Sequence, residues 1–141
     1  MTASENLGVL IKETQAILHQ RMDEVLRPLG LTVPQYACLQ ALHDTPGITG
    51  SELARRVFVS RQSTNIVLQG LEKRGLITRS DDQGPRRERA TELTGAAVAL
   101  LGEARTGVAA VAGRMTGGLS PADARRLHTL LTTCRDALAG R

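Results

Sequence analysis

Aromatic side chains are nearly absent from this chain of 141 residues: Tyr36 and Phe58 are the only two, and there is no tryptophan. Proteins that bind single-stranded nucleic acids usually stack the bases on exposed aromatic rings. The shortage of rings therefore argues against that class of protein. It also argues against a small-molecule pocket walled by several aromatic side chains.

Long apolar runs and closely spaced cysteines are missing as well. No apolar run approaches eighteen residues and residues 1–6 are polar, so neither a transmembrane segment nor a secretory signal is predicted. Cys38 and Cys134 stand far apart in the sequence, which predicts neither a disulfide framework nor a metal site. We therefore expect a cytoplasmic protein with no membrane partner, no cofactor and no metal.

Catalytic motifs are not found either. The chain has no glycine-rich phosphate loop, no G-x-S-x-G turn and no paired carboxylates in an apolar setting. The three histidines lack the spacing of metal ligands; they are His19, His43 and His128. The sequence predicts that the protein is not an enzyme.

Positive charge is what the chain does have, mostly as arginine. Its net charge is +4, and sixteen of its eighteen basic residues are arginine, which favours bidentate contacts to phosphates and bases. Residues 1–48 carry a net charge of −2, residues 49–89 carry +4 and residues 90–141 carry +2. A basic central segment indicates nucleic-acid binding, although a merely basic surface gives the same pattern.

The spacing of apolar residues and of capping residues predicts six helices and one hairpin. The predicted elements are a helix over 6–28, a helix opened by Val33-Pro34, a short helix with a Thr49/Glu52 capping box, a helix from Ser60 to about Arg74 closed by Gly75, strands over 76–79 and 89–93 joined by a polar loop, and helices over 94–116 and from Ser120 to about 138. The predicted fold class is thus mainly α with a small β-hairpin.

Three of these helices, the first and the last two, carry apolar stripes but flank a compact central unit. One small core does not cover all three stripes, so we expect a two-fold homodimer in which the terminal helices interleave. An intramolecular bundle is the alternative.

The central order of helix, turn, capped helix and basic hairpin is typical of a DNA-binding helix-turn-helix with a wing. The second helix of such a unit enters the major groove with its N-terminal residues at base edges. Its side chains that do not face the core suit base edges; they are Arg61, Gln62, Ser63, Asn65 and Gln69. The hairpin arginines, Arg86, Arg87 and Arg89, suit a neighbouring minor groove or the DNA backbone.

The residues themselves resemble the MarR family, the multiple-antibiotic-resistance-type winged helix-turn-helix regulators. The matching segments are residues 31–39 (LTVPQYACL), 52–54 (ELA), 59–64 (VSRQST) and 71–77 (LEKRGLI), with Arg86-Arg87 and Leu93-Thr94 at the wing and at the start of the next helix. One departure is visible: Pro85 stands where the family usually has an aspartate that orients the two wing arginines.

The resemblance implies an obligate homodimer that binds a pseudo-palindromic double-stranded operator. It implies a winged helix-turn-helix lobe over residues 31–93 and a helical dimerisation lobe over residues 6–30 and 94–140. The implied function is a sequence-specific repressor released by a small phenolic or lipophilic effector lodged between the lobes. Carried over by position, Ser60, Arg61, Gln62, Ser63 and Asn65 are recognition-helix contacts and Arg87 is the wing arginine.

The effector site is less well marked by the sequence. By position we expect His19, Met22, Tyr36 and Cys38 to line it. Two alternatives stay open: a DNA-binding regulator that responds to oxidation of Cys38, and a dimeric winged-helix module that binds proteins rather than DNA.

Overall fold

The structure is a computed structural model that describes the backbone of residues 1–57, 60–83 and 89–141, and their side chains except at 81–83, 89 and 90. Its elements are α1 (Ala3–Leu26), a 3₁₀ turn (Arg27–Leu29), α2 (Val33–Asp44), α3 (Gly50–Val57), α4 (Arg61–Lys73), β1 (Ile77–Gln83), β2 (Arg89–Leu93), α5 (Gly95–Met115) and α6 (Pro121–Ala139). The predicted fold class, mainly α with a small β-hairpin, is confirmed.

Side-chain caps fix where most of the helices begin. Thr32 and Gln35 form a reciprocal capping box at the start of α2, and the hydroxyl of Thr49 accepts a hydrogen bond of 3.1 Å from the Glu52 amide before α3. Ser60 and Ser120 cap α4 and α6 in the same manner. These polar residues satisfy N–H groups that have no partner inside a helix.

The predicted start of α1 at residue 6 is wrong by three residues. Thr2 and Glu5 form a capping box in which the Glu5 amide donates to the Thr2 hydroxyl at 3.0 Å, so α1 begins at Ala3. The predicted end at 28 also differs, since α1 gives way after Leu26 to the 3₁₀ turn. The box was missed because the apolar pattern starts only at Leu7.

The hairpin is longer than the sequence predicts. β1 runs to Gln83, four residues beyond the predicted end of the first strand, while β2 has the predicted bounds. Ile77 lies opposite Leu93, and Gln83 opposite Arg89, with an irregular register between Arg79 and Gln83. Polar composition indicated a loop there, but a solvated two-stranded ribbon is held by its pairing more than by strand propensity.

The core is built from α1 to α5 and β1. Its fully buried members come from every one of these elements; the largest are Leu26, Leu39, Leu53, Leu71, Ile77 and Leu101. The chain falls into two compact units, Met1–Val108 and Ala109–Arg141. The core lies in the first unit and includes the whole helix-turn-helix segment that the structure describes.

A polar contact ties the end of α4 to the end of the 3₁₀ turn. Gly30 adopts φ +72°, and its carbonyl accepts a hydrogen bond from the guanidinium of Arg74, the C-cap of α4. A Cβ at Gly30 would lie 3.1 Å from Arg74 Nη2, so glycine permits both the left-handed backbone and the close approach. The contact helps to fix α4 relative to the end of α1.

α5 is one helix that is long and apolar enough to cross a membrane by length and composition, with a mean hydropathy of 1.3 over its most apolar window. Its apolar character comes largely from alanine and glycine rather than from a continuous run of large side chains. Helices in the core of soluble proteins can have the same length and hydropathy. In this chain Ala97, Leu101 and Ala104 of α5 lie in the buried core.

Large apolar side chains remain exposed on α1 and on α6. On α1 they are Leu7, Val9, Leu10, Ile11 and Ile17, and on α6 they are Leu127, Leu130, Leu131 and Leu138. Each helix thus offers an apolar face that the described chain leaves open to a partner.

Candidate nucleic-acid interface

α4 has one face in the core and one face in solvent. Thr64, Leu68 and Leu71 are buried, and Val67 packs against them from the edge of the core. The Thr64 hydroxyl donates a hydrogen bond of 2.9 Å to the Ser60 carbonyl, so this buried polar group is satisfied within the first turn. The opposite face of α4 is held rigidly toward solvent by these contacts.

The N-terminus of α4 is closed by Ser60, whose extended backbone has φ −69° and ψ 160°. Its Oγ accepts a hydrogen bond of 3.0 Å from the Ser63 amide and also contacts the Ser63 hydroxyl at 3.0 Å. The remaining amides of the first turn, together with the helix dipole, attract phosphate oxygens.

The five residues expected to contact DNA from α4 are all exposed; they are Ser60, Arg61, Gln62, Ser63 and Asn65. With about 3.6 residues per turn, they are not equivalent around the helix. Gln62 lies directly opposite the buried face, whereas Arg61 and Asn65 lie toward one side and Ser63 toward the other. The structure brings the set together around the first turn of one exposed helix.

Sequence reasoning missed two further residues of the outward face, Ile66 and Lys73. Both are exposed, and they follow Gln62 by four and eleven residues, which places all three in one row opposite the core. Gln69 completes the row. The signal was present in the sequence as the positions half a turn away from Thr64, Leu68 and Leu71.

The wing arginines are described only in part. Arg86 and Arg87, with Pro85 before them, lie outside the described residues. Arg89 opens β2 opposite Gln83, and its side chain also lies outside them. The roles of these arginines and the effect of Pro85 on the wing stay predictions.

The four residues expected to bind an effector differ in their surroundings. Tyr36 and Cys38 are buried, at 8% and 1% exposure, Met22 packs against the core that contains them, and His19 is exposed on α1. Tyr36 and Cys38 are two residues apart on α2 and so point to different sides of that helix. Full burial leaves Cys38 out of reach of a ligand in this conformation.

A chain of polar groups follows the Tyr36 side of α2. The Tyr36 hydroxyl lies 3.5 Å from Gln40 Oε1, the Gln40 amide donates to Asp44 Oδ1 at 2.8 Å, and His43 Nδ1 lies 3.4 Å from the same oxygen. The hydrogen bond from Gln40 lowers the pKa of Asp44, so this carboxylate stays charged.

Arg105 on α5 acts electrostatically on this chain of polar groups, and no local pattern in the sequence predicts this interaction. Burial raises the pKa of the Tyr36 hydroxyl, while the nearby positive charge of Arg105 opposes that rise. The same arginine helps to lower the pKa of Asp44. Tyr36 and Arg105 are 69 residues apart in sequence, so only the tertiary fold associates them.

Cys38 and Cys134 are free thiols, with Cys38 buried and Cys134 exposed. Cys134 lies on the apolar face of α6, which the described chain leaves exposed. Burial raises the pKa of the Cys38 thiol to about 11. A buried thiol that stays protonated is a poor nucleophile.

We expect Cys38 to resist alkylation in the folded protein. At pH 8, raising the thiol pKa from its usual value near 9 to about 11 lowers the thiolate fraction by about 100-fold, because that fraction falls tenfold for each unit. Mass spectrometry of the Cys38 peptide, after maleimide treatment of folded and urea-unfolded protein, measures the ratio of rates. Equal rates in both states would contradict the buried, protonated thiol.

The structure places no group of three or more metal-binding side chains together among the residues it describes. A cleft of about 370 Å³ lies beside the hairpin and is lined by residues of α2, the following turn and β2: Leu42, His43, Pro46, Gly47, Thr91, Glu92 and Leu93. It contains none of the four expected effector residues.

Comparison with known proteins relates this chain to DNA-binding transcriptional regulators. A family model described as "MarR family" matches residues 29–88. The HTH-type transcriptional repressor Rv2887 of Mycobacterium tuberculosis is 34% identical over 125 residues, which cover 89% of this chain and 90% of that protein.

Solved structures of transcriptional regulators also resemble this chain in fold and in sequence. The Rv2887 protein in complex with salicylic acid is 33% identical, with a TM-score of 0.72 over 91% of this chain and 95% of that chain. The transcriptional repressor CouR, bound to a 23-mer DNA duplex, is 29% identical, with a TM-score of 0.83 over 94% of each chain. The resemblance predicted from the sequence motifs is confirmed.

Proposed function

The chain belongs to the MarR family, and from this premise we propose that it is a homodimeric, sequence-specific repressor that binds double-stranded DNA and is released by a small anionic effector. Regulators of this family are generally not enzymes, and we propose that this chain is likewise not an enzyme and acts in the cytoplasm.

The observation that carries the proposal is the geometry of α4. Its inner face is fixed in the core, its N-terminus is capped, and every described side chain around its first outward turn can hydrogen-bond to a base or a phosphate. Glutamine and asparagine pair with adenine in the major groove, arginine pairs with guanine, and serine pairs with either. We propose that Ser60, Arg61, Gln62, Ser63 and Asn65 make these contacts.

The dimer supplies the second half of the interface. Residues 31–93 form the DNA-binding lobe in this proposal, and residues 6–30 and 94–140 form the dimerisation lobe. The exposed apolar faces of α1 and α6 are what a second copy would cover. The two copies of α4 must then lie roughly 34–36 Å apart to enter successive major grooves of a pseudo-palindromic operator.

The cap of α4 offers a matched test of the proposal. Ser60→Ala and Ser120→Ala each remove a serine N-cap whose hydroxyl accepts from the third helical amide, so each lowers the free energy of unfolding by about 1 kcal/mol. Only Ser60→Ala is expected also to weaken operator binding, by roughly tenfold, because it loosens the first turn of α4 and removes a hydroxyl from the interface.

Urea unfolding and fluorescence anisotropy on a selected operator duplex measure the two effects separately. Equal operator affinity for both variants would contradict the placement of the α4 N-terminus on DNA.

The wing completes the proposed interface. Arg86, Arg87 and Arg89 would contact the DNA backbone or an adjacent minor groove, and Arg87 in particular would favour A·T-rich flanks, whose narrow minor groove attracts arginine. Its replacement by alanine is then expected to flatten the preference for such flanks.

The effector proposal rests on the polar groups beside Tyr36. A small aromatic carboxylate can place its anionic group against Arg105 and accept a hydrogen bond from the Tyr36 hydroxyl, while its ring lies against Met22 at the edge of the core. His19, one turn before Met22, would lie at the margin of this site, whereas Cys38 lies behind the core surface and would support the site only through packing. A ligand that favours the wrong spacing of the two lobes by a few kcal/mol releases DNA.

Arg105→Met tests the effector site with salicylate as the probe. A charged hydrogen bond contributes about 1.5–3 kcal/mol, so we expect about tenfold or more salicylate to be needed for half-release from DNA, with unchanged affinity before salicylate is added. Arg114→Met is the control, since Arg114 is an exposed arginine of the same helix outside the site. Identical release curves for wild type and Arg105→Met would contradict the site.

The two other functions considered have less support. Oxidation of Cys38 as the signal is disfavoured by the burial of this thiol and its raised pKa. A protein-binding module without DNA affinity is disfavoured by the polar and basic outward face of α4.

A further inference from the structure

Ile66 is anomalous in its exposure. In the segment from Leu31 to Leu93, it is the only large apolar residue left exposed, at 62%, among those whose side chains the structure describes. The other large apolar residues described there are buried or packed against the core. An isoleucine held in solvent on a rigid helix is available for an apolar contact with a partner, which would remove its side chain from water.

The surroundings of Ile66 define the chemistry of that partner. It lies at the centre of the outward row of α4, four residues after Gln62 and three before Gln69, with Lys73 one turn further on. Amides on both sides and a basic helix end are unlike a protein-binding apolar patch. They suit the floor of the major groove, where hydrogen-bonding base edges alternate with the one apolar group, the C5-methyl of thymine.

Gly70 keeps this side chain uncovered. Side chains of a helix lean toward its N-terminus, so a residue at position 70 would lean over Ile66. Glycine is unfavourable inside a helix, and packing does not require it here, because an added Cβ would meet only Gln35 Nε2, at the ordinary distance of 3.9 Å. The shallow groove along this face is lined by Ile66, Gln69, Gly70, Glu72 and Lys73.

We infer that Ile66 is a specificity-determining residue that recognises thymine in each operator half-site through its C5-methyl group. This inference rests on the proposed function, because it requires α4 to enter the major groove. It goes beyond the polar contacts of the first turn by assigning one base of the operator to an apolar contact.

The test is a methyl scan of the operator. A duplex is first selected from a random library with the wild-type protein, and each thymine is then replaced by deoxyuridine, symmetrically in both half-sites, which removes only the methyl group. Losing one buried methyl per half-site is expected to weaken wild-type binding by about fourfold for each, or about 16-fold for the pair.

Ile66→Ala is expected to be insensitive to methyl loss at that thymine and to keep the wild-type response elsewhere. The variant removes no core contact and alanine favours the helix, so folding is not in question. Lys73→Ala is the control: it lowers the salt dependence of binding and leaves the methyl response unchanged.

The outcomes separate the two claims. Three outcomes would each overturn the inference and leave DNA binding intact. In the first, Ile66→Ala keeps every methyl sensitivity of the wild type; in the second, the wild-type protein shows no methyl-sensitive thymine. In the third, Ile66→Ala has an altered oligomeric state. Failure of the wild-type protein to select any duplex would overturn the proposed function, and the inference with it.

Discussion

Leu130→Asp is expected to convert the dimer into a monomer and to abolish operator binding at concentrations where the wild type is saturated. Leu130 is 53% exposed on the apolar face of α6, so an aspartate there is harmless to the isolated chain but is desolvated in a dimer interface. Two linked recognition helices bind about 100- to 10,000-fold more tightly than one, and the monomer loses that factor.

Sedimentation velocity gives the oligomeric state, and anisotropy on the selected operator gives the affinity. Thr129→Asp is the matched control, since it adds the same charge to the same helix at an exposed position on the side away from the centre of its apolar face. A Leu130→Asp protein that stays dimeric and keeps its affinity would show that α6 does not form the interface.

Gln62→Ala is expected to lower specific affinity by roughly 30-fold or more, since one bidentate pair with adenine is lost in each of two half-sites at about 1–3 kcal/mol each. Gln62 is in the first turn of α4 and faces directly away from the core, where base edges are closest. The slope of affinity against salt is expected to stay unchanged, because no phosphate contact is removed.

Gln69→Ala is the matched control. Gln69 is a second exposed glutamine in the same outward row of α4, so only its position differs: it lies two turns further from the N-terminus. We expect its effect on affinity to be several times smaller. Equal losses for both glutamines would mean that α4 lies along the groove rather than entering it by its N-terminal end.

The sequence alone predicted α4 and its environment well, because the determinants are local. Ser60 and Gly75 mark its two ends, and the spacing of Thr64, Leu68 and Leu71 defines its buried face. Gly75 indeed adopts φ +73°, with the Leu76 amide bonded to the Leu71 carbonyl at 3.0 Å, as a glycine C-terminal cap requires.

Other features could not be predicted from the sequence. Some depend on tertiary contacts, and others differ from the polarity patterns by which binding residues and strands are recognised. The effect of Arg105 on Tyr36 and the contact of Arg74 with Gly30 join residues far apart in the chain, and no local spacing marks them. Ile66 was passed over because a search for base-contacting residues looked for polar side chains. The first strand was predicted to end at residue 79, but it continues to Gln83. Its last residues are polar and are held in the strand by pairing with β2, an effect that the strand propensities of single residues do not include.

The most direct test of the central claim is selection of duplexes from a random library by the purified protein, followed by anisotropy of the enriched duplex across a range of salt concentrations. The account predicts an enriched inverted repeat with half-sites one helical turn or a multiple apart, bound by one dimer. Its log affinity falls steeply with log salt, at about −0.9 for each phosphate contacted. Enrichment of no sequence, with binding that is weak at low salt, would contradict a sequence-specific DNA-binding protein.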